Sequence, residues 1–411
     1  MYRLSTPTIL ISLIGIGVLA FVSLAAADEA NFRLSDQCPP SFSLEPDGGC
    51  DLRSLYQLYA EPGKKFGAPA DYGGVRAPLP RHRGGYRPEV IDLGRLLFFD
   101  PVLSGDRTLS CAHCHHPDHG FADGRGRSIG KGGRDHGPSR TGGAVLDRGA
   151  PTLWNIGFMD RLFLDARAGS LEEQAIAVLT SPEEMHNSPQ LLEETLSDIP
   201  AYQSLFQQAF GDESNRVTIE QVAVALSAFQ SSLVSLSSRY DRYVHGDHDA
   251  LTQQEQTGHN WFRSFLTRCT QCHTPPLFTN QVMAVVGAPE PVDAVFDQGA
   301  QGVTSSEHDR GAFRVPSLRN IEATAPYMHS GGLDTLQDVV EFYNEGVGNV
   351  APDDNLHFHW HVPVELNLKA DVIVAMVAFM KTLTDESFKP VIPEVVPSGL
   401  PIVEVSPSKD W

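Results

Sequence analysis

Positive charge is what this 411-residue sequence has least of: 31 Lys and Arg stand against 51 Asp and Glu, a formal net charge of −20. Such a chain repels a phosphate backbone instead of displacing its counterions, which excludes nucleic acid as a partner. Long apolar runs are missing after the first 24 residues, so the mature chain is expected to have no stable membrane insertion. Strand-type alternation of convincing length is missing too, which turns the reading toward a mostly helical fold. Cysteine is scarce, at six residues. With 41% hydrophobic residues, 36 Gly and 29 Pro, the composition is neither disordered nor collagen-like and suffices for two domains.

What is present begins with an export signal. Arg3 precedes the run ILISLIGIGVLAFVSL, and Ala25, Ala26 and Ala27 follow it before Asp28. This is the pattern of a secretory signal peptide over residues 1–27. An uncleaved anchor is the alternative, and the alanines favour cleavage.

Four of the six cysteines fall in two copies of one pattern, Cys111-Ala-His-Cys114-His115 and Cys269-Thr-Gln-Cys272-His273. Two thiols three residues apart can form thioethers to the vinyl groups of one haem, with the adjacent His held beneath the iron. A zinc site would need further ligands at matching spacing, and a redox dithiol would not need His after both pairs. The pattern therefore predicts two covalently bound haem c groups. Cys38 and Cys50 remain and are expected to close a disulfide, worth about 2–3 kcal/mol by loop-closure arguments.

The stretch GKKFGAPADYGGVRAPLPRHRGGYRP reads as irregular wrapping that adds little core. Val90, Leu93 and Leu97 mark a helix stopped at Asp100-Pro101. Thr218 and Gln221 form a capping box opening a helix to about Leu236, with Val222, Leu226, Phe229, Leu233 and Leu236 on one face. Thr252 and Glu255 open another, whose Phe262, Phe265 and Cys269 are spaced to bring the second cysteine pair onto a buried face. Thr335 and Asp338 cap a helix carrying Leu336, Val339 and Tyr343, and a last one carries Val372, Met376, Phe379 and Leu383. The expected organisation is a signal at 1–27, an extension at 28–84, a first haem domain at 85–248, a second at 249–388, and a proline-punctuated extended tail at 389–411. His357, His359 and His361 alternate with Phe358 and Trp360, so an extended segment could turn all three to one side and bind a metal, although such a run is more often a polar loop lip.

The segments LGRLLFFDPVLSGDRTLSCAHCHHPDHGFADG, Ala150-Pro151-Thr152 through Met185, CTQCHTPPLFTN and FRVPSLRNIEATAPYMHSG resemble the bacterial di-haem cytochrome c peroxidase superfamily. That superfamily also contains MauG, which matures a tryptophan-derived quinone in methylamine dehydrogenase. The resemblance spans roughly residues 85–388. It implies two cytochrome-c-like domains packed together with irregular connecting segments, in the periplasm, with a peroxide-reactive haem at His115 and an electron-transfer haem at His273. It also implies that Glu184 moves a proton between the two peroxide oxygens, with Gln174 ten positions before it.

Four departures bear on the branch. The histidine that follows Ser-Ile-Gly in the peroxidases and closes the first haem is here Lys131, with His136 nearby. The axial Met position of the second haem holds Tyr343, as in MauG, with Met328, His329, Met376 and Met380 as other donors. The inter-haem tryptophan is replaced by Leu164, leaving Trp154 or direct tunnelling. The Asn of the family's calcium site is Gly149, while Thr324 and Pro326 keep their carbonyls, so a calcium ion would rest on carbonyls and water. The expected function is reaction with hydrogen peroxide at the first haem and MauG-like oxidation of a protein partner. The alternatives are a conventional peroxidase drawing electrons from a small cytochrome or cupredoxin, and an inert di-haem electron carrier.

Overall fold

A computed structural model describes residues 32–60, 78–211, 216–291, 294–346, 355–359, 365–385, 387 and 389–406. The signal segment, His361 and Trp360 lie outside them. The α-helices are α1 (Arg53–Ala60), α2 (Pro88–Phe99), α3 (Leu171–Thr180), α4 (Pro189–Ser197), α5 (Pro200–Phe210), α6 (Ile219–Ser232), α7 (Arg239–Val244), α8 (Gln253–Phe262), α9 (Cys269–Cys272), α10 (Gln301–Thr304), α11 (Leu336–Glu345) and α12 (Ala370–Lys381). Among the described residues strands pair as antiparallel ribbons of two or three residues: β1 (Ser43–Leu44) with β2 (Cys50–Asp51), β3 (Gly133–Arg134) with β4 (Thr141–Gly142), and β5 (Met283–Val285) with β6 (Ala312–Arg314). The fold is mostly helical, as composition and periodicity predict.

Two helix crossings organise it, and they are alike. A Cβ on Gly94 of α2 would fall 1.8 Å from the carbonyl oxygen of Ala225 in α6 and 2.9 Å from Cβ of Phe229. One on Gly258 of α8 would fall 1.9 Å from the carbonyl of Ala375 in α12 and 2.9 Å from Cβ of Phe379. Each pair thus packs backbone to backbone beside one Cys-x-x-Cys-His segment.

The likeness continues at a constant offset of 165 residues, from Asn155 to Asn320. Ala150-Pro151-Thr152-Leu153-Trp154-Asn155 matches Val315-Pro316-Ser317-Leu318-Arg319-Asn320. Thr152 Oγ1 donates to the Gly120 carbonyl and Ser317 Oγ to that of Leu277, both at 2.6 Å. Both asparagines are left-handed (φ 62° and 58°), and their N–H groups reach the Leu233 and Leu383 carbonyls. Bridges Leu162–Ala168 and Tyr327–Leu333 then lead into α3 and α11, capped by Ser170 and Thr335.

Several local expectations change. The helix opened by the Thr218–Gln221 box ends at Ser232, not near Leu236. Asn155 takes the backbone beyond it: Nδ2 donates to the Ser235 carbonyl and Oδ1 accepts from Ser235 N–H, while Leu233 and Leu236 stay buried without helix. The helix opened by Thr252 stops at Phe262, because Thr267 Oγ1 bonds the Trp261 carbonyl and Arg268 turns left-handed before Cys269. Phe265 is consequently 80% exposed and lies on no buried face.

The chain ends contribute more than expected. Cys38 and Cys50 form their disulfide, with Cα atoms 5.7 Å apart. The extension buries Leu52, Leu55 and Tyr59, and Leu79 and His82 of the Pro/Gly-rich stretch are core residues as well. Residues 389–406 of the tail have no regular structure but strap the first half. Val396 and Val403 are buried, Ser398 Oγ donates to Asp100 at 2.6 Å, and the Glu404 carbonyl bonds His116 Nε2 at 3.0 Å. Among the described residues no helix is long and apolar enough to cross a membrane.

Candidate active site

Each Cys-x-x-Cys-His segment coils tightly, with the His115 and His273 N–H groups bonded to the carbonyls of Cys111 and Cys269 at 2.9 and 2.8 Å. His115 Nδ1 bonds the Phe121 carbonyl at 2.9 Å and His273 Nδ1 that of Phe278 at 3.1 Å. A carbonyl on Nδ1 places the proton there and leaves Nε2 as the basic nitrogen that an iron would meet. Burial lowers the pKa of both rings, which keeps them neutral. None of the four cysteines pairs in a disulfide, and burial raises the thiols of Cys111, Cys114 and Cys269. Among the described residues no three His, Cys, Asp or Glu side chains gather to hold a bare metal ion. Paired thiols with one preoriented imidazole fit a covalent haem at each place, and do not fit zinc.

Glu184 comes to the first set from the turn after α3. Met185, buried beside it, anchors the turn by accepting Gly105 N–H and donating to the Val178 carbonyl. The Glu184 carboxyl is half-buried and lies near enough to Cys114 for its charge to raise that thiol. Its own pKa is raised by burial, against a hydrogen bond from Ser181 and the charge of Arg167. Gln174 is half-buried on α3 and makes no side-chain hydrogen bond with Glu184.

The Ser128-Ile129-Gly130-Lys131 segment forms the back of this turn. Lys131 N–H donates to the Glu183 carbonyl at 2.9 Å, and a Cβ on Gly130 would fall 1.9 Å from that oxygen. Arg140, 2% exposed, ties the segment down through the Ile129 and Gly130 carbonyls at 2.7 and 2.9 Å. Sequence reasoning missed Arg140, because its partners are carbonyls that carry no residue-type signal. His136 stacks flat on His116, ring centroids 4.8 Å apart.

In the second set, Tyr343 packs on Phe342, in a cluster that also takes in Val286, Met328, Leu333 and Phe358. Burial raises its phenol, and the nearby Cys269 and Cys272 add to the effect. His329 is engaged elsewhere, with Nε2 2.8 Å from Glu290 and its ring stacked on Phe313 at 4.1 Å. Met376 and Met380 are buried in the main core, which leaves Met328 as the other donor in Tyr343's cluster.

In the first repeat Trp154 meets Phe121 edge-on at 5.2 Å, and Leu164 is half-buried. Arg148 there joins Asp165 at 2.7 Å and Asp297 at 2.6 Å, a network the sequence did not suggest. At the expected calcium position, a Cβ on Gly149 would lie 2.9 Å from the carbonyls of both Arg125 and Gly126, so the family's Asn has no room without a backbone shift. Thr324 Oγ1 bonds the Ile321 carbonyl, and Pro326 follows a cis peptide. His357 contacts the His308 ring at 4.5 Å, while His359 N–H donates to the Val285 carbonyl.

A family model for di-haem cytochrome c peroxidase matches residues 88–249. The chain is 33% identical over 309 residues to cytochrome c551 peroxidase of Nitrosomonas europaea, covering 74% of this chain and 84% of that one. It is 34% identical over 308 residues to the methylamine utilization protein MauG of Methylorubrum extorquens, covering 75% and 82%. A crystal structure of a MauG-like protein associated with microbial copper homeostasis superposes with a TM-score of 0.66 at 32% identity, covering 76% of this chain and 94% of that one.

Proposed function

This chain belongs to the di-haem cytochrome c peroxidase family, as an oxidoreductase with two haem c groups that reacts with hydrogen peroxide, and on that premise we propose that it works in the MauG manner, oxidising a protein partner. The observation that carries this is Tyr343 beside Cys269 and Cys272. A phenolate is a hard anionic ligand that favours higher iron oxidation states, whereas a thioether favours electron uptake from a cytochrome. Cys111, Cys114 and His115 would hold one haem and Cys269, Cys272 and His273 the other, and these groups would supply the redox-active iron for reaction with peroxide.

The protein's own part is proton handling and exclusion. Glu184 Oε takes the proton of one peroxide oxygen and delivers it to the other, which leaves as water. Its raised pKa suits the delivery half of that task. Lys131 leaves the first site without the peroxidases' histidine, so no prior reduction is needed to open it. The protein acts in the periplasm after export, and its strongly acidic balance, 51 Asp and Glu against 31 Lys and Arg in the full sequence, suits a basic partner surface. A calcium ion would rest on the Thr324 and Pro326 carbonyls and water.

The test is one equivalent of hydrogen peroxide added to fully ferric holoprotein, followed by stopped-flow absorption, beside Tyr343→Met. Rapid formation of a long-lived state oxidised by two electrons, shortened in the variant, supports the proposal. A requirement for prior reduction makes the protein a conventional peroxidase, the reading that Met328 in the same cluster favours. Inertness under both conditions makes it a carrier.

A further inference from the structure

Three arginines are deeply buried among the described residues, and two are fully matched. Arg319 meets Asp241 at 2.6 Å and the Pro276 carbonyl at 2.8 Å, and Arg140 is held by carbonyls. Arg314, at the end of β6, is the exception. It is 5% exposed, and among the described residues its Nε has no partner and its guanidinium makes one hydrogen bond, Nη1 to Sδ of Met159 at 3.5 Å. A thioether is a weak acceptor and carries no charge. Burying a guanidinium without an anion is costly, so the site asks for a carboxylate or phosphate.

Its place in the fold narrows the choice. Arg314 N–H donates to the Leu164 carbonyl at 2.8 Å, linking the two repeats where the family's tryptophan is missing. Met159 belongs to the first repeat, while Pro316, two residues after Arg314, has its backbone hydrogen-bonded to His273. The carboxylates of the network between the repeats are already engaged: Asp165 with Arg148 and Arg167, Asp297 with Arg148, and Glu290 with His329 and Ser330. Burial holds the guanidinium down to about 10, so it remains a cation at neutral pH.

We propose that Arg314 is the counter-ion of a propionate of the second haem, bound in the seam between the two repeats. The inference rests on a haem being carried at His273 and not on which substrate the enzyme oxidises. A cation on the propionate cancels a negative charge near the iron, which favours the ferrous form and raises that haem's reduction potential.

The experiment is spectroelectrochemical titration of both haems in the holoprotein, wild type, Arg314→Lys and Arg314→Met, with haem content measured first. Full haem loading, a lower potential of the second haem in Arg314→Met, near-wild-type behaviour in Arg314→Lys and an unchanged first haem are expected. No shift in Arg314→Met, or an equal shift at both haems, overturns the assignment. Because Arg314→Met could fail to load, the wild type is also measured by redox infrared difference spectroscopy with carbon-13-labelled propionates. A propionate of the second haem that stays ionised as the pH is lowered supports the pair, and one that titrates freely overturns it. A protein carrying one haem would instead defeat the di-haem premise, a failure seen in the haem count alone.

Discussion

Glu184 is the residue whose chemistry can be checked most directly. Glu184→Gln keeps the shape and removes the proton relay, so the rate of reaction with peroxide should fall by about 10²–10⁴-fold with haem spectra unchanged. The carboxyl must be ionised to accept a proton, and burial raises its pKa, so the acid limb of the pH–rate profile should lie above the ordinary carboxylate range. Arg167 opposes that shift, and Arg167→Ala should move the limb to still higher pH. A limb at the ordinary position, unmoved in the variant, would remove Glu184 from the role. At this scale the two Cys-x-x-Cys-His segments were readable in advance, because thioether chemistry demands a fixed local spacing. Arg140 and Arg314 were not, since their significance lies in carbonyls and a seam that no neighbouring residue announces.

Among the elements, the paired crossings decide stability. Gly94→Ala and Gly258→Ala each place a methyl within 2 Å of a facing carbonyl oxygen, where neither helix can yield without opening its contact. Each should cost at least the upper end of the ~1–3 kcal/mol typical of overpacking. Thermal melts of the holoprotein would measure it, and wild-type melting of either variant would show that the crossing gives way cheaply. Helix starts were legible through the capping boxes at Thr218, Thr252 and Thr335, all of which form. Helix ends were not. What stops α6 is Asn155, in sequence far from Ser235, and what stops α8 is a hydroxyl cap at Thr267.

For the whole molecule, the acidic balance sets the terms of encounter. Association with a basic protein partner should be fast at low salt and slow steeply as ionic strength rises, as a stopped-flow series across salt concentrations would record. A salt-independent rate would mean that docking is governed by a neutral patch.

The sequence by itself determined the two Cys-x-x-Cys-His segments, the Cys38–Cys50 pairing, the helical class and the family, because each rests on local spacing or on residue type. Tertiary structure decided what depends on groups distant along the chain. It brought Glu184 to Cys114 and Tyr343 to Cys269, laid the tail across Asp100 and His116, and revealed the 165-residue repeat that sets Arg319 where the first half has Trp154. It also left Arg314 buried without an anionic partner among the described residues. The physical reason is that spacing fixes covalent and helical geometry within a few residues, whereas burial and charge pairing are properties of the folded surroundings.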